Sequence, residues 1–163
     1  MKIELKNVQH AAFASQETDC FTATVYINGV KSGTVSNEGF GGCNSYHPNT
    51  LEKTLSGYAK TLPKIVAGFN DKEGNPIEYE QDADTLIGDL FSAWLVEKDF
   101  KRAIAKRILF TRDGAVMQTK SFDKVVLQAY LKDPALVTKL KADKVLNLLP
   151  VDEALKLYAG SAA

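Results

Sequence analysis

Residues 21–50 read FTATVYINGVKSGTVSNEGFGGCNSYHPNT, and this stretch decides how the chain is read. Phe21, Ala23, Val25 and Ile27 alternate with Thr22, Thr24 and Tyr26, the period-two pattern of a strand with one buried face. Asn28-Gly29 follows at once. Both residues tolerate the positive φ of a type I′ turn, so the chain is expected to reverse into a partner strand over about residues 30–35. Upstream, Ile3 and Leu5 alternate with Lys2, Glu4 and Lys6 over 2–8. The expected start is therefore a three-stranded antiparallel sheet.

Downstream, residues 36–47 hold Gly39, Gly41 and Gly42 in a loop that is expected to lead directly into a helix. Pro48 suits a first helical turn, Asn49 and Glu52 have capping-box spacing, and Leu51, Leu55, Tyr58 and Leu62 share a stripe that Pro63 closes. Residues 70–80, with Gly74, Asn75 and Pro76, read as an exposed acidic connection. A long central helix should start after Asp82 or Asp84, with Leu86, Ile87, Leu90, Phe91, Trp94 and Leu95 on its apolar face. A second hairpin turns at Asp113-Gly114 between 107–112 and 115–119. The end of the chain reads as a cluster of short helices capped by Ser121, Asp133 and Asp152. Their expected core is Val125, Val126, Tyr130, Leu136, Leu140, Leu146, Leu149 and Leu155. Two hairpins separated by helices, without a β-α-β alternation, make the fold class α+β.

The 163 residues fit one domain, 1–163, with 120–163 as a candidate helical subdomain. A chain of this length buries about 70% of its unfolded surface, so neither a disulfide between Cys20 and Cys43 nor a metal is needed for folding. There is no apolar run of about 20 residues to span a bilayer, and residues 1–8 lack the apolar core of a signal peptide. The expected location is the cytoplasm of a host cell, with reduced cysteines. Twenty basic and twenty acidic residues cancel, which argues against a general nucleic-acid coat or a whole-surface DNA mimic. The charges are nevertheless segregated: residues 71–97 carry eight acids and one lysine, and residues 98–144 carry twelve bases and five acids.

Five constellations could carry chemistry. Glu78, Glu80, Asp82, Asp84 and Asp89 could bind a divalent cation if they converged, but they lack the ligand order and glycine of a calcium loop. Gly39, Gly41, Gly42 and Cys43, between a strand and a helix start, could turn N–H groups toward a nucleotide or phosphate, although the loop fits neither the dinucleotide fingerprint nor the P-loop. His10, Cys20, Cys43 and His47 are of zinc-ligating types but lack a close Cys-x-x-Cys pair. Cys43 near His47 could serve as a thiolate nucleophile if its pKa were depressed, but no orienting third residue is evident. Lys98, Arg102 and Lys106, at i, i+4 and i+8, could line a helix face against nucleic-acid phosphates; only Phe100 interleaves them. No catalytic signature and no cofactor motif emerges.

The stretch from Thr24 to Pro48, and more loosely residues 22–62, resembles small uncharacterised proteins of bacteriophages and other mobile elements. The resemblance brings no catalytic residues with it. It implies a non-enzymatic interaction protein, an inhibitor of a host or bacterial defence factor, with a host or phage protein, or a second copy of the chain, as partner. Within that reading the exposed-loop residues Phe40, Asn44, Tyr46 and His47 are the expected contacts, since aromatic anchors concentrate binding energy.

Overall fold

The computed structural model describes residues 1–160. The chain divides into two compact units, Met1–Ser92 and Ala93–Ala163.

In the first unit, β1 (Ile3–His10), β2 (Phe21–Ile27), β3 (Val30–Asn37) and β4 (Ser45–His47) form an antiparallel sheet in chain order. Asn28 and Gly29 adopt φ of 50° and 83°, as the turn chemistry requires. The sheet has a fourth strand that the sequence reading lacked: β4 pairs with β3 in the register Thr34↔His47, Val35↔Tyr46, Ser36↔Ser45. The glycine-rich segment is therefore a hairpin loop between two strands, not a bridge from a strand to a helix.

The strand alternation sets the core. Phe21, Ala23 and Val25 of β2, Val35 of β3 and Tyr46 of β4 are buried. Gly33 of β3 sits where α1 (Thr50–Ala59) is entered: a Cβ there would come 2.3 Å from the His47 carbonyl and 2.9 Å from Leu51. Leu51, Leu55 and Ala59 form the buried stripe of α1. Asn49 does not cap it; its own backbone is helical, its side chain makes no cap bond, and the Leu51 N–H is taken by the Pro48 carbonyl instead.

Residues 70–80 are exposed as expected but are not a plain connection. β5 (Ile65–Asn70) and β6 (Pro76–Tyr79) form a two-stranded ribbon. Its turn is built on Asp71, whose Oδ1 accepts the N–H groups of Glu73 and Asn75 at 2.9 and 2.8 Å. Then α2 (Ala83–Ile104) begins, with Asp84 in its first turn and Lys101 and Arg102 in its last. That order suits the helix dipole. Asp82 accepts from the Thr85 N–H at the helix start. Ala83, Leu86, Ile87 and Phe91 are buried, and Phe91 stacks on Phe21 with ring centroids 4.2 Å apart.

The second unit is organised by β7 (Leu109–Arg112), which lies between β8 (Ala115–Gln118) and β9 (Lys144–Val145). Successive side chains of a strand face opposite ways, and β7 uses both faces. Phe110 joins Ile108, Leu127, Leu136 and Val145 in one cluster, while Leu109 joins Phe100, Leu146 and Ala154 in another. Residues 120–160 thus share their cores with the hairpin and with the second half of α2, so the unit boundary falls within α2 rather than near residue 120. Asn147 stitches the helix to the strand: its Oδ1 accepts the Leu109 N–H at 2.7 Å, and its Nδ2 donates to the Ile104 and Arg107 carbonyls.

Three details correct the sequence reading. Asp123, not Ser121, caps α3 (Lys124–Leu131), accepting from Val125 and Val126. Asp152 lies inside the first turn of α5 (Val151–Ala159), which follows α4 (Leu136–Leu140) and β9. Val125, Val126 and Tyr130 are exposed, Val125 to 78%. The buried stripe of α3 is Leu127 with Leu131, four residues apart and so on one face.

Candidate functional site

The site in the first unit is a pair of interlocked loops, residues 11–20 and 38–44. Neither has a regular ladder, so their polar groups bond to each other. The Gly39 carbonyl accepts N–H groups from Gln16, Glu17 and Thr18 at 2.9, 3.0 and 3.4 Å. Thr18 Oγ1 donates to Asn37 Oδ1 at 2.7 Å and accepts the Gly41 N–H at 3.3 Å. Asn37 Oδ1 also accepts the Gly39 N–H, and its Nδ2 donates to the Gly42 carbonyl and to Asn44 Oδ1.

The far end of this network is Asp84, forty residues further along the chain. Its Oδ1 accepts the Asn44 N–H at 3.2 Å, the Asn44 side-chain amide at 2.9 Å and the Tyr46 hydroxyl at 2.6 Å. Tyr46 is 8% exposed. It is an internal strut of the loop, not one of its contact residues, because alternation along β4 turns it toward the side of Val35. Asn44 is half-buried and spent on the same carboxylate. Of the four expected contacts, Phe40 and His47 are exposed.

Burial, and then the bond to Asp84, push the Tyr46 phenol well above its ordinary value of 10.0. The folded chain therefore holds this proton more tightly than the unfolded one. The resulting stability is fully present below about pH 10 and declines above it by up to about 1.4 kcal/mol per pH unit. Urea midpoints at about pH 9 and about pH 11 should show this decline in the wild type and a shallower one in Tyr46→Phe. Equal slopes would mean that Tyr46 is not held protonated by the fold.

The same carboxylate bears on the nucleophile and anion readings. Hydrogen bonding to Asp84 raises the Cys43 thiol pKa, and the charges of Asp84, Asp82 and Glu52 add to the effect. A thiolate nucleophile needs the opposite. The N–H groups of Gly39, Gly41 and Asn44 are already donated within the protein. Glu17 closes on Gly41, where a Cβ would meet its Oε2 at 2.2 Å. The surroundings are negative as well: residues 7–30 and 32–52 hold Glu17, Asp19, Glu38 and Glu52 and no lysine or arginine. An anion cradle at Gly39, Gly41, Gly42 and Cys43 is thus opposed by both geometry and charge. Among the described residues no group of three or more His, Cys, Asp or Glu side chains is placed to hold a metal ion, so His10, Cys20, Cys43 and His47 do not assemble a zinc site.

His10 has a different task. Its Nε2 lies 3.2 Å from Asp19 Oδ1 and 3.4 Å from Ser15 Oγ, and its ring meets Phe91 edge-on at 5.4 Å. Serine and aspartate share one ring nitrogen, whereas a catalytic triad places them on opposite nitrogens. Ser15 Oγ is further engaged with the Ala11 carbonyl and the Cys20 N–H. The trio latches the loop 11–20. Beside it a hollow of about 240 Å³, lined by Thr18, Asp19, Phe21, Asn44, Asp84 and Phe91 among others, falls below the size of ordinary small-ligand pockets.

What the sequence reading missed is Phe13. It lies on the 3-10 turn Ala12–Ala14 and is 95% exposed; Phe40, in the partner loop, is 61% exposed. The two loops touch where Gly39 meets Ala14, with the Ala14 carbonyl 2.4 Å from the place a Gly39 Cβ would occupy. Each loop therefore carries one exposed phenylalanine on a tied framework.

In the second unit, Lys98, Arg102 and Lys106 lie on or just beyond α2. Lys98 Nζ sits 4.7 Å above the Trp94 ring, and Arg102 pairs with Asp99 at 3.6 Å. No helix among the described residues is long and apolar enough to cross a membrane. Comparison with protein-family models, with curated proteins and with solved structures finds no match to this chain.

Proposed function

We propose that this chain is a non-enzymatic interaction protein of a bacteriophage or other mobile element, which acts in the host cytoplasm by binding and disabling a host or defence protein. The origin rests on the resemblance carried by residues 22–62. The mode of action rests on one observation: two interlocked loops hold Phe13 and Phe40 out in solvent. Exposing a phenylalanine forgoes about 1.5–3 kcal/mol of burial, a loss that binding recovers. A hydrogen-bonded framework spares the entropy of ordering the loops on association. Glu17, Asp19 and Glu38 belong to the same two loops, which hold no lysine or arginine, so the partner surface that complements them is basic, with apolar recesses for two rings.

Two truncated anchors should weaken binding by about 2 kcal/mol or more, or roughly 30-fold in Kd. The test is co-purification from host cells with tagged wild type, Phe13→Ser/Phe40→Ser, and Phe69→Ser on the β5–β6 ribbon. The double variant is expected to lose the captured protein while Phe69→Ser retains it, with urea midpoints unchanged because all three rings are exposed. Equal capture by the double variant would remove this assignment.

A further inference from the structure

The geometry points to the hollow between the two loops and α2 as the seat of an arginine side chain of the partner. This inference rests on the partner-binding reading above and names the chemistry that the partner brings. The hollow, of about 240 Å³, is walled by Thr18 and Asp19 of the first loop, by Gly42 and Asn44 of the second, and by one face of α2. It is too small for an ordinary small-molecule ligand, and a single long side chain is an occupant of the right order.

Gly88 carries the inference. Asp84, Gly88 and Ser92 recur at i, i+4 and i+8, so they stand above one another on α2, and all three line the hollow. Glycine in a helix interior is destabilising relative to alanine, so its presence calls for a reason. Internal packing supplies none, because no atom lies within 4 Å of the place a Gly88 Cβ would occupy. Backbone conformation supplies none either, because Gly88 is helical and its φ is not positive. Gly33 and Gly39 differ on both counts: each has a positive φ and a backbone oxygen where its Cβ would lie. A side chain at 88 would instead rise from the middle of the face that walls the hollow, and glycine keeps that space clear.

The charge of the hollow selects a cation. Asp19 and Asp84 both line it, and no lysine or arginine is among its lining residues. His10 meets Asp19 at Oδ1, and the bonds from Asn44 and Tyr46 fall on Asp84 Oδ1, beside which Cys43 adds a weak thiol donor. A carboxylate offers about four acceptor sites over its two oxygens, so both keep capacity for further donors. The floor is the buried pair Phe21 and Phe91, an apolar surface that suits the methylene stem of a long cationic side chain. Arginine fits better than lysine. Its guanidinium is more weakly hydrated than an ammonium, and its fork of donors can serve two carboxylates at once.

The experiment titrates the isotope-labelled full chain with N-acetyl-arginine amide and follows its backbone amide shifts by NMR. N-acetyl-citrulline amide and N-acetyl-lysine amide are the comparison arms. Expected are saturable shifts at Thr18, Asp19, Gly42, Asn44 and Gly88, with a Kd in the millimolar range for this single side chain. Citrulline keeps the shape and lacks the charge, so it should bind roughly tenfold more weakly, and lysine should fall between. Gly88→Leu should abolish the shifts and yet raise the urea midpoint, because leucine is the better helix former. Gly88→Ala should also raise the midpoint and should weaken the probe several-fold. Asp19→Asn should weaken it roughly fivefold. A gain in the fold with a loss in binding is what a merely structural glycine would not show. The inference is overturned by absent shifts at the hollow, by citrulline or lysine bound as tightly as arginine, or by a titration that Gly88→Leu leaves unchanged. Absent shifts would leave the Phe13→Ser/Phe40→Ser comparison untouched, and failure of that comparison would leave a Gly88-dependent titration standing, so the two readings fail separately.

Discussion

Asp84→Ala is expected to lower the unfolding free energy by about 3 kcal/mol. One carboxylate oxygen accepts three hydrogen bonds, from the Asn44 N–H, the Asn44 amide and the Tyr46 hydroxyl. Bonds to a charged acceptor contribute about 1.5–3 kcal/mol each, but they share one oxygen and do not add in full. The dominant cost is the Tyr46 hydroxyl, left in a buried position with only the long 3.4 Å contact to Asn44. Asp84→Asn keeps an acceptor oxygen and the shape, so roughly half the loss is expected. A second readout is independent of stability. Asp84 holds the Cys43 thiol pKa up, so either variant lowers it, and the thiolate fraction at about pH 8 rises. Alkylation of Cys43 should therefore accelerate several-fold in Asp84→Asn. Unchanged urea midpoints and unchanged alkylation rates would show that the carboxylate does not hold the loop.

Gly39→Ala should cost a similar amount, about 3 kcal/mol, by a different route. Gly39 has φ of +88°, where a side chain meets the backbone strain of about 1–2 kcal/mol that glycine escapes. Its Cβ would also lie 2.4 Å from the Ala14 carbonyl oxygen and 2.9 Å from Cys20 Cβ. Neither can swing aside, because one is backbone and the other is fixed to it. The loops must part, and the bonds that Gly39 accepts from Gln16 and Glu17 go with them. Because Gly42 in the same loop also has a positive φ, the cleaner comparison is Gly68→Ala: no atom lies within 4 Å of the Gly68 Cβ position, its φ is not positive, and a change under about 0.5 kcal/mol is expected there. If both variants melt alike in urea, the loops are not locked at Gly39.

What was legible in the sequence was local. Asn28-Gly29 and Asp113-Gly114 turn as read because the φ preference belongs to those residues alone, and all four adopt positive φ. The long helix was legible because Leu86, Ile87 and Phe91 repeat over many turns. Elements whose existence depends on distant pairing were not. β4 has three residues and β9 two, too few for alternation to register, and both are strands only because β3 and β7 offer them an edge. Missing β4 misread Tyr46 as a surface aromatic and placed the glycine loop at a helix start.

The site was less legible for the same reason. Asp84 lies thirty-eight and forty residues from the groups it binds, and no spacing rule connects them. Phe13 sits in a segment without periodicity, where exposure follows from how His10, Ser15 and Asp19 fold the loop back. In α3, Val125, Val126 and Tyr130 were read as core on apolarity alone. Helical geometry instead puts Leu127 and Leu131 on one face and leaves the valines outside.

If the Phe13–Phe40 loop pair is the partner-binding surface, as proposed, site-specific photocrosslinking in host cells will trap the partner there. A photoreactive side chain is placed in turn at positions 13, 40, 69 and 125, all exposed. One defined protein adduct is expected, shared by positions 13 and 40, absent from 69 and 125, and lost when Glu17 and Glu38 are both changed to lysine. Adducts of equal yield at all four positions, or an adduct at 69 or 125 with none at 13 and 40, would contradict it.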